Sequence, residues 1–275
     1  MIQDTRFQTL AEHALFRPEI EAKLQATCRA DILLAEGRLD FTPGPPPRPA
    51  GEVCFPERPS LVEPRKLARR SLHTVHGRIA LLHAVAHIEF TAIVLAWDIA
   101  YRFRDMPDAF VVDWLGVAIE EARHFAAVRQ RLRELGADYG DLPAHRGLWD
   151  LAEQTAGDVL HRLALVPRFM EARGLDVTPP MIEKLSGEGD AESVAILDMI
   201  LREEVGHVAL GSRWFHLVAT ERGLDPESTY FELVRAYIKG GVRGPFNQTA
   251  RREAGFSDAE LSRLENLETT ASEQE

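Results

Sequence analysis

The chain has 275 residues, of which 45% are hydrophobic and 27% charged, so it can bury the core of one large or two small soluble domains. Its formal charge of −11 argues against broad binding of nucleic acid, which needs a basic surface. Its two cysteines, Cys28 and Cys54, form no C-x-x-C, which excludes a disulfide framework and a rubredoxin-type iron site. The first six residues lack the apolar core of a signal peptide, so we expect a cytoplasmic location.

The N-terminal segment is predicted to be helical and then extended. Residues 1–36 place apolar side chains among charged ones, as in a helix. Residues 43–64 contain eight of the sixteen prolines, which can neither continue a helix nor pair inside a sheet. We therefore assign residues 1–64 to a helix and a proline-rich arm that packs on the main domain.

Residues 65–265 are predicted to form an all-α bundle with extra C-terminal helices, because no long window alternates with period two. A break is expected over 174–180, before a short helix at 181–185, and residues 266–275 are expected to be disordered. The other predicted helices are 65–103 with a break near Gly77, 109–135 ending at Gly136, 147–172 bent or interrupted at Pro167, 190–222 with Asp190 as N-cap, 230–238, 250–254 and 257–267.

Residues 81–103 are long and apolar enough to cross a bilayer. They also carry two histidines and three charged side chains, namely His83, His87, Glu89, Asp98 and Arg102. Each charged one would cost about 2.5–3.5 kcal/mol at a membrane centre. A helix buried in a bundle, with polar groups turned inward, explains the segment better, and we expect no membrane association.

One phrase occurs twice in the chain. Residues 120–126 read Glu-Glu-Ala-Arg-His-Phe-Ala, and residues 203–209 read Glu-Glu-Val-Gly-His-Val-Ala. In each, a Glu precedes a His by three positions, so on a helix the carboxylate and the imidazole share one face. The two pairs are Glu121 with His124 and Glu204 with His207.

A further glutamate precedes each pair at nearly the same distance. Glu89 lies 32 residues before Glu121, and Glu171 lies 33 residues before Glu204. A turn near residues 105–108 or 187–190 would bring the members of each pair to the same height on antiparallel helices. One Glu from each of two helices and Glu-x-x-His from each of the other two is the ligand set of the ferritin-like di-iron and di-manganese proteins.

Four carboxylates and two imidazoles suit iron or manganese, and four ionised glutamates cancel the charge of two divalent cations. We therefore predict two iron ions, with manganese or a mixed iron–manganese pair as the alternative. The catalytic group is then the metal centre itself. The competing interpretation is solvated glutamates and capping histidines. The predicted ligands are Glu89, Glu121, His124, Glu171, Glu204 and His207.

Other polar residues on these helices receive weaker assignments. Glu120 and Glu203 are expected to be surface charges or hydrogen-bond partners of an imidazole. His83, His87 and His161 are expected to be ordinary core or surface histidines. Tyr101, Tyr230 and Tyr237 are candidates for a radical, but no spacing singles one out. Four apolar side chains are expected to keep the site dry: Phe90, Ile93, Phe125 and Val208.

The segment 239–247 is rich in glycine and basic residues. The favoured interpretation is a surface loop between two small helices. The alternative is a lid over the metal site or a substrate contact through Lys239, Arg243 and Asn247.

The chain resembles the ferritin-like family catalogued as domain of unknown function 455. The resemblance rests on residues 171–176 and 178–185, on His-Ile-Glu at 87–89 and on the two Glu-Glu-x-x-His phrases, and it extends from about residue 10 to 260. It implies a ferritin-like four-helix bundle with a di-metal site. The chain is more distantly similar to the bacterial tRNA hydroxylase of the same superfamily.

We therefore expect an oxidoreductase that activates dioxygen to oxidise or hydroxylate a small molecule, with an electron-donor protein as partner and a homodimer as one assembly. Symmetric ligand sets of this kind resemble those of the ribonucleotide reductase small subunit, acyl desaturases and rubrerythrin. The alternatives are peroxide removal, iron oxidation and storage, and a metal that only clamps the bundle. Hydroxylation of tRNA is disfavoured by the acidic charge.

Overall fold

A computed structural model of the protein describes residues 4–63, 66, 71–238, 242 and 244–272. These residues form α-helices joined by turns, which confirms the predicted all-α fold. Extended backbone within the described ranges pairs only at two isolated bridges, Arg6 with Asp40 and Leu61 with Ala144. The chain folds into two compact units: Met1–Ala156 with Glu188–Ile196, and Gly157–Gly187 with Leu197–Glu275.

The first unit contains two N-terminal helices rather than one. Pro18 separates them, because its ring has no N–H and disfavours helical backbone at Arg17. A 3₁₀ turn and three further helices follow. The elements are α1 (Phe7–Phe16), α2 (Ile20–Ala35), the 3₁₀ turn Ala50–Glu52, α3 (Val75–Arg102), α4 (Asp108–Glu134) and α5 (Gly147–Gln154).

A buried lysine holds the proline-rich arm on the N-terminal helices. Lys23 is fully buried on α2. Its Nζ donates hydrogen bonds to the carbonyl oxygens of Ala14 at 2.8 Å, Arg17 at 2.9 Å and Cys54 at 2.8 Å. Three carbonyls therefore satisfy all the donors of the ammonium group and connect α1, α2 and the arm.

The long helices α3 and α4 form an antiparallel hairpin through the turn at residues 103–107. The described part of α3 begins at Val75, whereas Arg65 lies outside the described residues. Gly77 is in the first turn rather than at an internal break, and the Thr74 hydroxyl accepts its N–H at 3.1 Å. A Cβ at Gly77 would lie 1.8 Å from the Ser71 carbonyl oxygen, so only glycine fits.

By length and composition α3 could cross a membrane, but 72% of its most apolar window is buried in the protein. The core helix of a soluble protein has this property. Phe90 on α3 packs against Phe125 on α4, with ring centroids 5.4 Å apart.

The helix predicted over 147–172 is interrupted twice, and only its part from Gly157 onward belongs to the second unit. It stops at Gln154 and restarts after Asp158, whose carboxylate accepts the Leu160 N–H at 2.7 Å. At Pro167 the backbone widens into a π-helical turn, which confirms the predicted interruption. The elements are α6 (Val159–Leu165), the π-turn Val166–Glu171, α7 (Ala172–Gly187), α8 (Ala191–Glu221), α9 (Pro226–Tyr237), α10 (Gln248–Glu253) and α11 (Asp258–Ser272).

Residues 174–180 are helical, so the predicted break there is wrong. Pro179 lies inside α7 and has no N–H for the carbonyl of Leu175 four positions earlier. The side-chain amide of Asn247 donates to that carbonyl at 3.2 Å instead. A distant residue therefore replaces the missing helical hydrogen bond.

The start of α8 agrees with its predicted cap, whereas the end of α11 differs from the prediction. Asp190 caps α8 as expected, because its carboxylate accepts the Ser193 N–H at 3.2 Å. The last helix, α11, reaches Ser272, within the tail predicted to be disordered.

Candidate metal centre

The first unit brings three of the predicted ligands together. Glu89 projects from α3, and Glu121 and His124 project from one face of α4. The His124 Nδ1 lies 3.2 Å from Glu89 Oε2 and 3.5 Å from Glu121 Oε2. Each residue offers one ligand atom, and these atoms lie within 4.8 Å of one another. The α3–α4 hairpin therefore creates the convergence that the 32-residue spacing predicts.

This cluster is buried almost completely. Glu89 is 4% exposed, Glu121 is 1% exposed and His124 is 0% exposed. Two carboxylates enclosed in this way need positive charge nearby, because an uncompensated buried charge is very costly. A divalent cation would supply that charge.

The two buried carboxylates also affect the protonation of His124. Burial by itself lowers the pKa of this imidazole, but hydrogen bonds with Glu121 and Glu89 outweigh burial and raise the pKa to about 10. Without a metal ion, the imidazolium therefore offsets part of the charge of the two carboxylates. Two carboxylates and one imidazole are donors that iron, manganese and zinc accept, so the residues fit a metal ion.

The second unit contains the other three predicted ligands. Glu204 and His207 lie on α8, with 3.6 Å between Glu204 Oε1 and His207 Nδ1, and His207 is buried. The second motif therefore has the i, i+3 geometry that the sequence predicts. Glu171 is half-buried and is the last residue of the π-turn.

Two other buried histidines, His83 and His87, hold one loop on α3. His83 Nε2 accepts the N–H groups of Gly140 at 2.9 Å and Leu142 at 3.3 Å. His87 contacts the Tyr139 hydroxyl through Nδ1 and the His145 carbonyl through Nε2, both at 2.9 Å. Because a carbonyl only accepts, His87 donates from Nε2 and accepts the Tyr139 hydroxyl proton at Nδ1.

His161 also has a local partner, since its Nδ1 lies 3.0 Å from the Tyr237 hydroxyl. These contacts agree with the prediction that His83, His87 and His161 are ordinary histidines. Glu120 and Glu203 are half-buried, and their assigned roles stay predictions.

Phe90, Ile93, Phe125 and Val208 are all fully buried, and their role in keeping the site dry stays a prediction. Tyr139, to which the sequence patterns assign no role, packs against two of these residues. Its ring lies 5.3 Å from that of Phe90 and 5.2 Å from that of Phe125. The signal available in the sequence was its position three residues after Gly136, where the chain turns back at the end of α4.

The segment 239–247 is only partly described, and Lys239 and Arg243 lie outside the described residues. Asn247 has a structural role. Its carboxamide oxygen accepts the Ala250 N–H at 3.2 Å, which caps α10, and its amide donates to Leu175. For this residue the loop interpretation is correct, and a substrate contact is not needed to explain it.

Comparison with known proteins identifies the family. Residues 16–262 match the sequence model of the family described as "Protein of unknown function (DUF455)". A protein of Haemophilus influenzae described as uncharacterized is 47% identical over 225 residues, which are 79% of this chain and 78% of that protein. No solved structure matches the chain. Because the family model matches most of the chain, including all six predicted ligands, we conclude that the chain belongs to the DUF455 family.

Proposed function

We propose that this protein is a cytoplasmic di-iron oxidoreductase that uses dioxygen to oxidise or hydroxylate a small organic molecule. The observation that carries the proposal is the buried cluster of Glu89, Glu121 and His124. The repeat of the same residues in the second unit gives a second set of donors, Glu171, Glu204 and His207. Each set, with two carboxylates and one imidazole, would hold one metal ion.

The donor set favours a reactive centre over a structural clamp. A clamp fills every coordination position with protein ligands, whereas a catalytic metal keeps a position open. Six side chains leave room at two iron ions that each accept five or six donors. Two ferrous ions, when bound, would supply electrons to dioxygen.

The residues of the chain would control access and charge. Buried Phe90, Ile93 and Phe125 would exclude water from the donors of the first unit. Hydroxylation of a C–H bond consumes dioxygen, two electrons and two protons and yields an alcohol and water. The two electrons must come from an electron-donor protein or a small reductant, because the side chains of the cluster are not redox-active.

The proposal predicts that the protein loaded with Fe²⁺ reacts with oxygen. We expect an absorption change within seconds of mixing, and we expect the Glu171→Gln variant to be slower by at least about tenfold, since ligand surroundings tune metal sites by that amount. The control is His161→Ala, which removes a histidine that contacts Tyr237. Stopped-flow absorption measures the rate of the reaction, and an assay of the remaining Fe²⁺ measures its extent.

Iron that stays ferrous for hours with oxygen present would rule out the oxidase. Faster consumption of hydrogen peroxide than of dioxygen would favour peroxide removal, and iron bound far beyond two ions per chain would favour storage. Metal analysis after growth in iron-rich and manganese-rich medium separates iron, manganese and the mixed pair.

A further inference from the structure

Arg168 is a completely buried cation in the π-turn that ends at Glu171. Its Nη2 lies 2.9 Å from Glu260 Oε2 and 2.8 Å from Glu260 Oε1, and its Nε donates to the Ser212 hydroxyl at 3.2 Å. A single carboxylate therefore neutralises the guanidinium, which connects the π-turn with the first turn of α11 and with α8.

Three aromatic rings surround the same guanidinium. Its central carbon lies 4.5 Å from the ring centroid of Tyr230, 4.4 Å from that of Phe256 and 5.3 Å from that of Phe215. Ring faces attract a cation, so they favour one orientation of the planar group. Arg168 is thus fixed in position as well as neutralised.

Its partner Glu260 is held by a capping box at the start of α11. The Glu260 carboxylate accepts the Ser257 N–H at 2.8 Å, and the Ser257 hydroxyl accepts the Glu260 N–H at 3.1 Å. This reciprocal pair fixes the side chain that receives Arg168. The anchor of the π-turn is therefore rigid.

The π-turn also packs closely on α8. A Cβ at Gly211 would lie 2.6 Å from Pro167 Cβ, so the absence of a side chain at Gly211 permits the approach. Gly211 follows His207 by four positions and therefore lies on the same helix face, one turn later. The π-turn meets α8 directly beside the turn that carries His207.

A π-turn contains one residue more than an α-turn, which rotates the side chains after it by about 100° relative to an uninterrupted α-helix. Glu171, at the end of this turn, is the side chain whose direction depends most on whether the turn persists. We propose that Arg168 is a positioning residue that maintains the π-turn and thereby sets the direction of the Glu171 carboxylate toward its metal ion. This inference rests on the proposed di-metal function.

The buried ion pair is by itself weak evidence for a role in stability. Buried ion pairs can often be replaced by well-packed apolar residues with no loss of stability, so a pair of this kind is better explained by the conformation that it specifies. Arg168 and Glu260 specify the conformation of the one turn that leads into a predicted ligand.

The test measures Fe²⁺ binding without oxygen, by competition with a chelator and by metal analysis. We expect the wild type to bind two ions, and we expect Arg168→Met to bind the second ion at least about tenfold more weakly, the lower end of the effect of outer-shell changes. In a Glu171→Gln background, Arg168→Met should add no further loss, because Glu171 no longer contributes. Glu260→Gln should weaken binding of the second ion as Arg168→Met does. It is the second variant to measure if Arg168→Met does not fold.

The matched control is Arg102→Met, which breaks a buried Arg–Asp pair within α3 of the first unit. It should leave the affinity for the second ion close to that of the wild type. The double variant Arg168→Met/Glu260→Met removes the uncompensated charge and should still bind the second ion weakly.

Wild-type affinity for the second ion in Arg168→Met, or its recovery in the double variant, would overturn the positioning role but not the di-metal function. A wild-type protein that binds no iron would overturn both.

Discussion

Two buried histidines of the first unit have opposite charge preferences because their neighbours differ. His124 lies between two carboxylates, and its pKa is raised to about 10 although burial opposes this. His83 contacts backbone N–H groups, and burial lowers the pKa of its imidazole. A backbone donor can bond only to an unprotonated nitrogen, so His83 must be neutral in the folded state.

Because His83 is neutral in the folded state, we expect the protein to lose stability in mild acid. Its pKa is lower in the folded state than the value of about 6.5 in an unfolded chain, so the unfolded state binds the proton first as pH falls. We expect the free energy of unfolding to fall below about pH 6.5, with a contribution from this residue of up to about 1.4 kcal/mol per pH unit. Urea denaturation between pH 7 and pH 5 measures the slope.

The control for this effect is His83→Gln, whose amide oxygen can accept the Gly140 N–H but does not titrate. The variant should lose less stability than the wild type over the same pH interval. Equal slopes for the two proteins would show that another group is responsible.

At the scale of helices, the sequence predicts the features that depend on residues close together in the chain. The i, i+3 pairs of Glu121 with His124 and of Glu204 with His207 follow from helix geometry alone. The convergence of Glu89 on His124 follows from two helices of nearly equal length joined by a short turn.

The features that were not predicted depend on residues far away in the sequence. The sequence suggests a break at Pro179, but Asn247 supplies a donor to the exposed carbonyl and the helix continues. Likewise Pro167 predicts an interruption, but not that Arg168 would bond to Glu260, 92 residues later. Propensity is local, whereas these partners are set by tertiary packing.

Asn247 should therefore stabilise two helices at once. Asn247→Ala removes the α10 cap and leaves the Leu175 carbonyl without its side-chain donor, so we expect a loss of about 1–3 kcal/mol in the free energy of unfolding. Asn247→Ser keeps a capping oxygen, but its side chain is too short to reach Leu175. It should therefore recover only the part of the free energy of unfolding that comes from the α10 cap. Chemical denaturation compares the two, and Asn247→Ala with wild-type stability would contradict the structural role.

At the scale of the whole molecule, the buried acidic cluster would couple folding to metal binding. The Glu89 and Glu121 carboxylates are buried together, so in the metal-free protein the His124 imidazolium would offset part of their charge. A divalent ion would balance the same charge without a bound proton. Because the unfolded chain does not hold the ligands together, metal binding adds directly to stability.

Removal of the metal should lower the melting temperature. At a free metal concentration of about 100 times Kd the bound ion contributes about 2.7 kcal/mol, which corresponds to a rise of roughly 5–10 °C for a chain of this size. Calorimetry of the chelated protein with and without added Fe²⁺, under anaerobic conditions, measures this shift. His124→Ala removes a ligand at the centre of the cluster and should abolish most of the shift, whereas His161→Ala leaves the ligand set intact and should keep it. The same shift in both variants would mean that iron binds elsewhere on the molecule.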